Sequence, residues 1–373
     1  MRRHAALQML LHDRSTTAGS VIGVVAIVFL VGQQLAVLFG LFSLMSVLVD
    51  HSGADIWILS ENTDNITTAG TLPMRYVERA LGLEEVEWAE PLVTGGGQLR
   101  RKDGKTQAVQ VVGLSLPRMA GGPWRFAQGS LDALFEGEAV TVDQLDAKLL
   151  GSPAVNDVVE INGQAVRIRG LTRNIRGFSG ALVFTNADKA RSITGLAADR
   201  CNQILIKLRP GSNVNDAVAR LEAVLPRAEA IPTPVLSAKT RLYYVANTGI
   251  GTSIGFSTLV GLLVGVVIIM LTMYTTVLNR QREFAVLRAF GARRRDITVV
   301  VMFQALIIGL IGILVGFLML AGFLAGTYDT RLPANLPIWF APAHAALTLV
   351  LCLLGSLLAV RRATSIEPAS AFR

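Results

Sequence analysis

Residues 279–297 read "NRQREFAVLRAFGARRRDI". Six arginines (Arg280, Arg282, Arg288, Arg293, Arg294 and Arg295) stand against Glu283 and Asp296, a net charge of +4. On both sides the charge then stops. Residues 242–279 hold no Asp, Glu, Lys or Arg, and neither do residues 297–328. About 20 apolar residues cross a bilayer core, so a basic segment between two such runs reads as a short loop joining two membrane helices. Within it the pattern predicts a short helix from Arg282 to Phe290, stopped by Gly291. Phe284, Leu287 and Arg288 fall at i, i+3 and i+4 and share one face. The plain reading is an Arg-rich interfacial loop. The sharper one is a docking helix for a cytosolic partner.

Outward from this loop the same logic repeats. Residues 15–49 and 332–360 are also uncharged, and 51% of the chain is hydrophobic against 17% charged, with a mean hydropathy of +0.49. A soluble chain carries more charge. The runs predict transmembrane helices at about 18–47, 252–278, 298–326 and 342–360. The first apolar run is too long for an ordinary signal peptide. Residues 1–17 and 361–373 each carry +2, whereas 50–241 holds equal numbers of acidic and basic side chains. Positive loops stay in the cytoplasm, so both termini and 279–297 are expected inside and the large segment outside. The expected division is a cytoplasmic segment 1–17, helix and stalk 18–50, and an extracytoplasmic domain 51–240. Stalk and helix 241–278, the loop 279–297, helix 298–326, an outer loop 327–341, helix 342–360 and a tail 361–373 follow. The net +8 is membrane-flanking anchorage, which argues against nucleic-acid binding.

One stretch invites a nucleotide-binding reading: "GGGQLRRKDGKTQAV", residues 95–109. A phosphate-binding loop needs a glycine five positions before Gly104, and that position is Leu99. Asp103-Gly104 between alternating flanks reads as a hairpin turn. It also lies on the outer side, where ATP is not maintained. Other chemistry is equally absent from the pattern. His4, His12, His51 and His344 are scattered over the topology, with no zinc spacing. There is no Gly-x-Ser-x-Gly elbow and no Cys-His pair on one side. Glu84, Glu85, Glu87 and Glu90 read as a solvated run, and Trp88 and Trp124 as packing residues. Cys201 and Cys352 fall on different sides of this topology. Cys201 reads as a small buried residue near a strand, with an intermolecular disulfide as the sharper alternative.

The outer segment is long enough for a folded domain or two small subdomains. Strand patterns occur at 54–59, 86–99, 106–114, 139–142, 158–161, 165–171, 181–184, 203–208 and 228–231, with Asn162-Gly163 as a hairpin signal. Helical patterns occur at 73–81, 143–150, 187–194 and 213–225. This is an α+β mixture without repeats.

Two features stand out within the membrane helices. Gly249, Gly251, Gly255, Gly261 and Gly265 recur at close spacing, which lets helices approach; Gly261 and Gly265 are candidates for a dimer interface. Gln33 and Gln34 need polar partners in lipid and are expected to face another helix, also as interface candidates. The lack of any Asp, Glu, Lys or Arg in these spans argues against a proton- or sodium-coupled carrier.

The segment "REFAVLRAFGARRRDI" resembles the coupling-helix signature of FtsX/MacB-type ABC transporter permeases, the mechanotransmission class. The tail "VRRATSIEPASAFR" is similar to the family's ending, with Phe372 in place of the usual Leu. The start, "LQMLLHDRSTTAGSVIGVVAIVFLV" through "DHSGADIWILS", looks closest to the DevC-like exporter branch. The resemblance implies four transmembrane helices with an α+β extracytoplasmic domain between the first and second. It implies that Glu283, Phe284, Leu287, Arg288, Phe290 and Gly291 couple to the ATPase. It implies a non-catalytic inner-membrane subunit with no cofactor of its own, ATP and magnesium being bound by a separate cytosolic ABC ATPase in two copies. A second permease copy, a periplasmic adaptor, a TolC-type channel and membrane lipid are the further partners implied. The outer domain would comprise a membrane-proximal part, 51–95 and 200–240, and a distal insertion, 96–199. Regulation of a cell-wall hydrolase, as in FtsX itself, and lipoprotein extraction of the LolC type are the alternatives.

Overall fold

The computed structural model describes residues 8, 10, 12, 14–67, 70–279, 283, 286, 291–328, 330–331 and 334–363. The chain forms two compact units. One comprises residues 1–40, 253–328 and 332–373; the other comprises 41–252 with 329–331.

The first unit is helical. Its helices are α1 (Arg14–Met45), whose last residues enter the second unit, then α8 (Ile250–Asn279), α9 (Arg294–Thr327) and α10 (Phe340–Ala363). All four are long and apolar enough to cross a membrane. They exist because no backbone polar group can go unpaired in lipid, so an uncharged run of this length must be helical. The start of α9 shows the local chemistry: the backbone N–H of Arg293 donates to Asp296 Oδ2 at 2.9 Å, which satisfies a helix-start donor. The core of this unit joins Val24, Val28 and Val31 of α1 with Ile269 of α8, Ile308 of α9 and Cys352 of α10.

The second unit is an α/β domain. Its strands are β1 (Ile56–Ser60), β2 (Leu72–Pro73), β3 (Val86–Arg100), β4 (Thr106–Leu114), β5 (Phe126–Gln128) and β6 (Ala139–Asp143). They continue with β7 (Val158–Ile161), β8 (Gln164–Thr172), β9 (Ala181–Asn186), β10 (Arg200–Cys201), β11 (Gln203–Leu208) and β12 (Ala228–Pro232). The helices here are α2 (Val47–Asp50), α3 (Arg75–Leu81), α4 (Gln144–Ala147), α5 (Ala187–Thr194), α6 (Val214–Val224) and α7 (Thr233–Asn247).

The main sheet runs β12-β1-β11-β3-β4-β9-β6-β8-β5, with β7 pairing both β3 and β8. Its organiser is the 15-residue β3. Residues 86–92 pair with β11, whereas 93–100 pair with β4. One strand thus serves two lobes. In the first, Ile56, Ile58, Ile204 and Ile206 pack under Ala217 and Leu221 of α6. In the second, Val93, Val109, Val111, Val140 and Val183 pack under Ala187, Ala190 and Ile193 of α5. A third cluster, with Trp57, Leu92, Leu114 and Phe184, links the two lobes. Gly113 is required by this packing: a Cβ there would lie 2.2 Å from that of Ala190.

The local readings can be checked element by element. Residues 95–109 form the β3–β4 hairpin, with Arg100 opposite Thr106 and Gly104 at φ +81°. Asn162 and Gly163, both at positive φ, turn β7 into β8 as a two-residue hairpin requires. Cys201 is buried in β10, and burial pushes its thiol up to about 12, so it is not a reactive thiolate. The acidic run needs a correction. Glu84 and Glu87 are exposed, but Glu90 is buried and accepts from the Ala120 N–H at 3.0 Å. The period-two alternation of β3 puts Glu90 on the same face as Trp88, which packs against the core. Burial pushes the Glu90 carboxyl up, against the opposing pull of backbone donors.

Candidate functional site

No constellation of nucleophile, base or metal ligands was expected. Among the described residues no group of His, Cys, Asp and Glu is placed to hold a metal ion. Two further features are contacts between helices and the contacts that tie α2 and α7 together in the α/β unit.

A close helix contact lies between α1 and α9. A Cβ on Gly312 would stand 2.6 Å from Val24, and one on Gly316 would stand 2.7 Å from Val28. The carbonyls of Val21 and Val25 lie only 3.5 and 3.4 Å away. From the other side, a Cβ on Gly32 would meet Leu320 at 2.7 Å. Small residues are what permit this approach, since lipid tails offer no hydrophobic drive to hold helices together. Helix α10 joins at the same place. His344, buried, puts Nε2 3.2 Å from the Val28 carbonyl. Its ring stacks on Phe340 at 5.2 Å and meets Phe317 edge-on at 5.9 Å. Three helices therefore converge on Val28.

The interface candidates on α1 and α8 have mixed surroundings. Gln34 Nε2 donates to Ser257 Oγ of α8 at 3.1 Å. Gln33 is half-buried. Gly265 faces Ile27, with 3.1 Å from an added Cβ to the side chain, whereas a Cβ added at Gly261 meets nothing within 4 Å among the described residues. Of the residues expected to couple to an ATPase, Glu283 is helical and Gly291 has φ +88°, the left-handed conformation that glycine adopts readily. Phe284, Leu287, Arg288 and Phe290 lie outside the described residues.

In the α/β unit, α2 and α7 are clamped together. Arg241 Nη2 pairs with Asp50 Oδ2 at 2.7 Å, and its Nε donates to Ser46 Oγ at 2.8 Å. Ser46 Oγ in turn donates to Asp50 Oδ2 at 2.7 Å, which closes a three-membered network. One turn on, the Tyr244 hydroxyl lies 2.7 Å from both Thr67 Oγ1 and Ser179 Oγ. Its ring packs on Phe178 at 4.8 Å. These contacts join the end of the first apolar stretch to the beginning of the second. Their signal was available: Asp50 and Arg241 are the opposite charges that bound the uncharged runs 15–49 and 242–279.

Comparison with known proteins agrees with this architecture. The MacB-like periplasmic core domain family matches residues 15–224, and the FtsX-like permease C-terminal family matches residues 255–368. The chain belongs to the FtsX/MacB-type ABC transporter permeases. A curated relative, macrolide export ATP-binding/permease protein MacB 2 of Aeromonas hydrophila, is 25% identical over 334 residues. That match covers 85% of this chain and 50% of the relative, so the chain spans about half the relative's length. Among solved structures, the periplasmic region of MacB from Actinobacillus actinomycetemcomitans is similar at 13% identity and a TM-score of 0.37. That match covers 50% of this chain and 93% of the other. The extracellular domain of the ABC-type transporter YknZ from Gram-positive bacteria is similar at 10% identity and a TM-score of 0.36. It covers 48% of this chain and 99% of that one.

Proposed function

We propose that this chain is the permease subunit of an ABC exporter that converts cytosolic ATP hydrolysis into movement of its outer domain. The observation that carries the reading is the succession, in one chain, of a MacB-like periplasmic core domain and an FtsX-like permease segment. The ATPase, with its ATP and magnesium, would lie on a separate chain; that residues 95–109, which hold the Gly-Lys-Thr, form a hairpin supports this reading. Two ATPase copies would engage a pair of permeases through residues 282–291. The Arg241–Asp50 clamp supports the mechanical part: it binds the end of the first span to the helix that leads into the second, so the two would move the domain as one. A periplasmic adaptor and a TolC-type channel would complete an export path. The protein would sit in the inner membrane with both termini inside.

Topology is the first test. Cysteines introduced at Gly104 and at Ala292 are expected to react with an impermeant maleimide from opposite sides of the membrane. Native Cys201 and Cys352 are buried and give little background. Labelling of both positions from one side would overturn the orientation, which rests on charge asymmetry.

A further inference from the structure

Residues 297–360 contain just two charged side chains, Asp329 and Arg331, two positions apart in the sequence between α9 and α10. The structure gives Arg331 a specific seat. Residues 329–331 belong to the outer unit, not to the helical unit that the chain leaves and re-enters around them. The Arg331 carbonyl accepts from Arg176 Nη1 at 2.7 Å. The Arg331 guanidinium pairs with Asp146 Oδ1 at 3.3 Å. One loop residue is thus gripped at its backbone and at its side chain by two different side chains of the same domain.

Both grips are built from buried groups. Arg176 is 8% exposed and Asp146 is 3% exposed. Asp146 sits on the short α4, which is itself pinned. The neighbouring Asp143 accepts from the Leu145 N–H at 3.0 Å, from Thr172 Oγ1 at 3.0 Å and from the Ile175 N–H at 2.7 Å. Asp143 therefore fixes both α4, with Asp146, and the segment after β8, with Arg176. It uses up its own acceptors in doing so, whereas Asp146 is left to pair with Arg331. A buried carboxylate without a counter-charge is costly, which gives the pair a reason to persist. Burial pushes the Asp146 carboxyl up, and the Arg331 charge works against that rise.

We infer that Arg331 is a latch: it fastens the connection between α9 and α10 to the outer domain, held by Asp146 and Arg176. Covalent linkage attaches the domain to α1 and α8; the latch attaches it to the other two spans. Movement of α9 and α10 then reaches the domain directly, through a contact that can open and close because the Arg331 side chain is half exposed. This last consequence rests on the exporter reading; the latch itself does not.

The engaged group is also what trypsin recognises, so cleavage after Arg331 reports the latch in the full-length chain in lipid nanodiscs. Asp146→Asn is expected to speed cleavage after Arg331 roughly tenfold, as loss of one charge-assisted bond would. Cleavage in the exposed 101–105 turn should keep its wild-type rate. An unchanged rate after Arg331 overturns the latch. Faster cleavage at every site means that the variant has unfolded, and the decision then falls to Arg331→Lys. That change replaces no buried residue and keeps the protease site but loses the guanidinium fork. Faster cleavage after Lys at 331 than after Arg, normalised to the same peptides, supports the latch, and an equal rate overturns it. Failure to bind any ATPase would end the exporter reading and leave the tryptic result standing.

Discussion

Replacing Gly312 and Gly316 together with leucine is expected to abolish accumulation of the folded chain in the membrane. The two positions face Val24 and Val28 so closely that even a Cβ would overlap them, at 2.6 and 2.7 Å. The neighbouring Val21 and Val25 carbonyls belong to the backbone of α1 and cannot turn aside as a flexible side chain could. The helices would have to separate, and the His344–Val28 contact would go with them. Overpacking costs about 1–3 kcal/mol per site, and two sites one turn apart on one contact leave little room for relief. At Gly322, on the same helix, an added Cβ meets nothing within 4 Å among the described residues, and this position serves as the control. Leucine there should leave the chain monodisperse after heating in detergent, whereas the double variant should aggregate. Equal behaviour of the two would show that the α1–α9 contact does not hold the unit together.

The second large effect is expected at the loop. Phe284→Ala with Leu287→Ala should release the ATPase, at a cost of about 2–4 kcal/mol if both side chains are anchors. By their i, i+3 and i+4 spacing Phe284, Leu287 and Arg288 would share one helix face, and an apolar pair beside an arginine suits a groove with an acidic rim. Insertion should be unaffected, because the four spans remain. The α/β domain should fold, because its three core clusters are built from residues of its own unit, within 48–236. Co-purification of ATPase with the double variant, together with ATP turnover in membranes, checks this. Wild-type retention and turnover would remove the loop from the coupling path.

The four spans were legible because a membrane leaves no choice: an uncharged run is a helix or it is not in the bilayer. The β3–β4 hairpin was legible because Asp103-Gly104 sits between two alternating runs, and the strands end at Arg100 and resume at Thr106. Helix α7 was not read. Pro232 and Pro234 look like breakers, yet Pro232 caps the helix and Pro234 lies in its first turn, where a missing N–H costs nothing. Strand β5 and the β2–β10 pair, two or three residues each, are too short to show a period. The parallel pairings of β4 with β9 and of β6 with β8 join distant segments, and no local pattern encodes a partner. The same limit applied to the helices. Glycines at 309, 312 and 316 were as visible as those at 261 and 265, but composition does not say which helix each one faces. Glu90 was misplaced for a simpler reason: four glutamates close together looked like one surface, and strand alternation divided them.

The central claim is that ATP turnover on the cytoplasmic side moves the outer domain, and distance measurement tests it most directly. Spin labels at Val158, an exposed position on β7, would report the separation of the outer domains in a reconstituted pair of permeases with its ATPase. Between the nucleotide-free and ATP-trapped states the distance is expected to shift by roughly 5 Å, the scale of switching motions in packed assemblies. Phe284→Ala with Leu287→Ala should erase the shift. An identical distance in both states, in a complex that hydrolyses ATP, would contradict mechanical transmission through this chain.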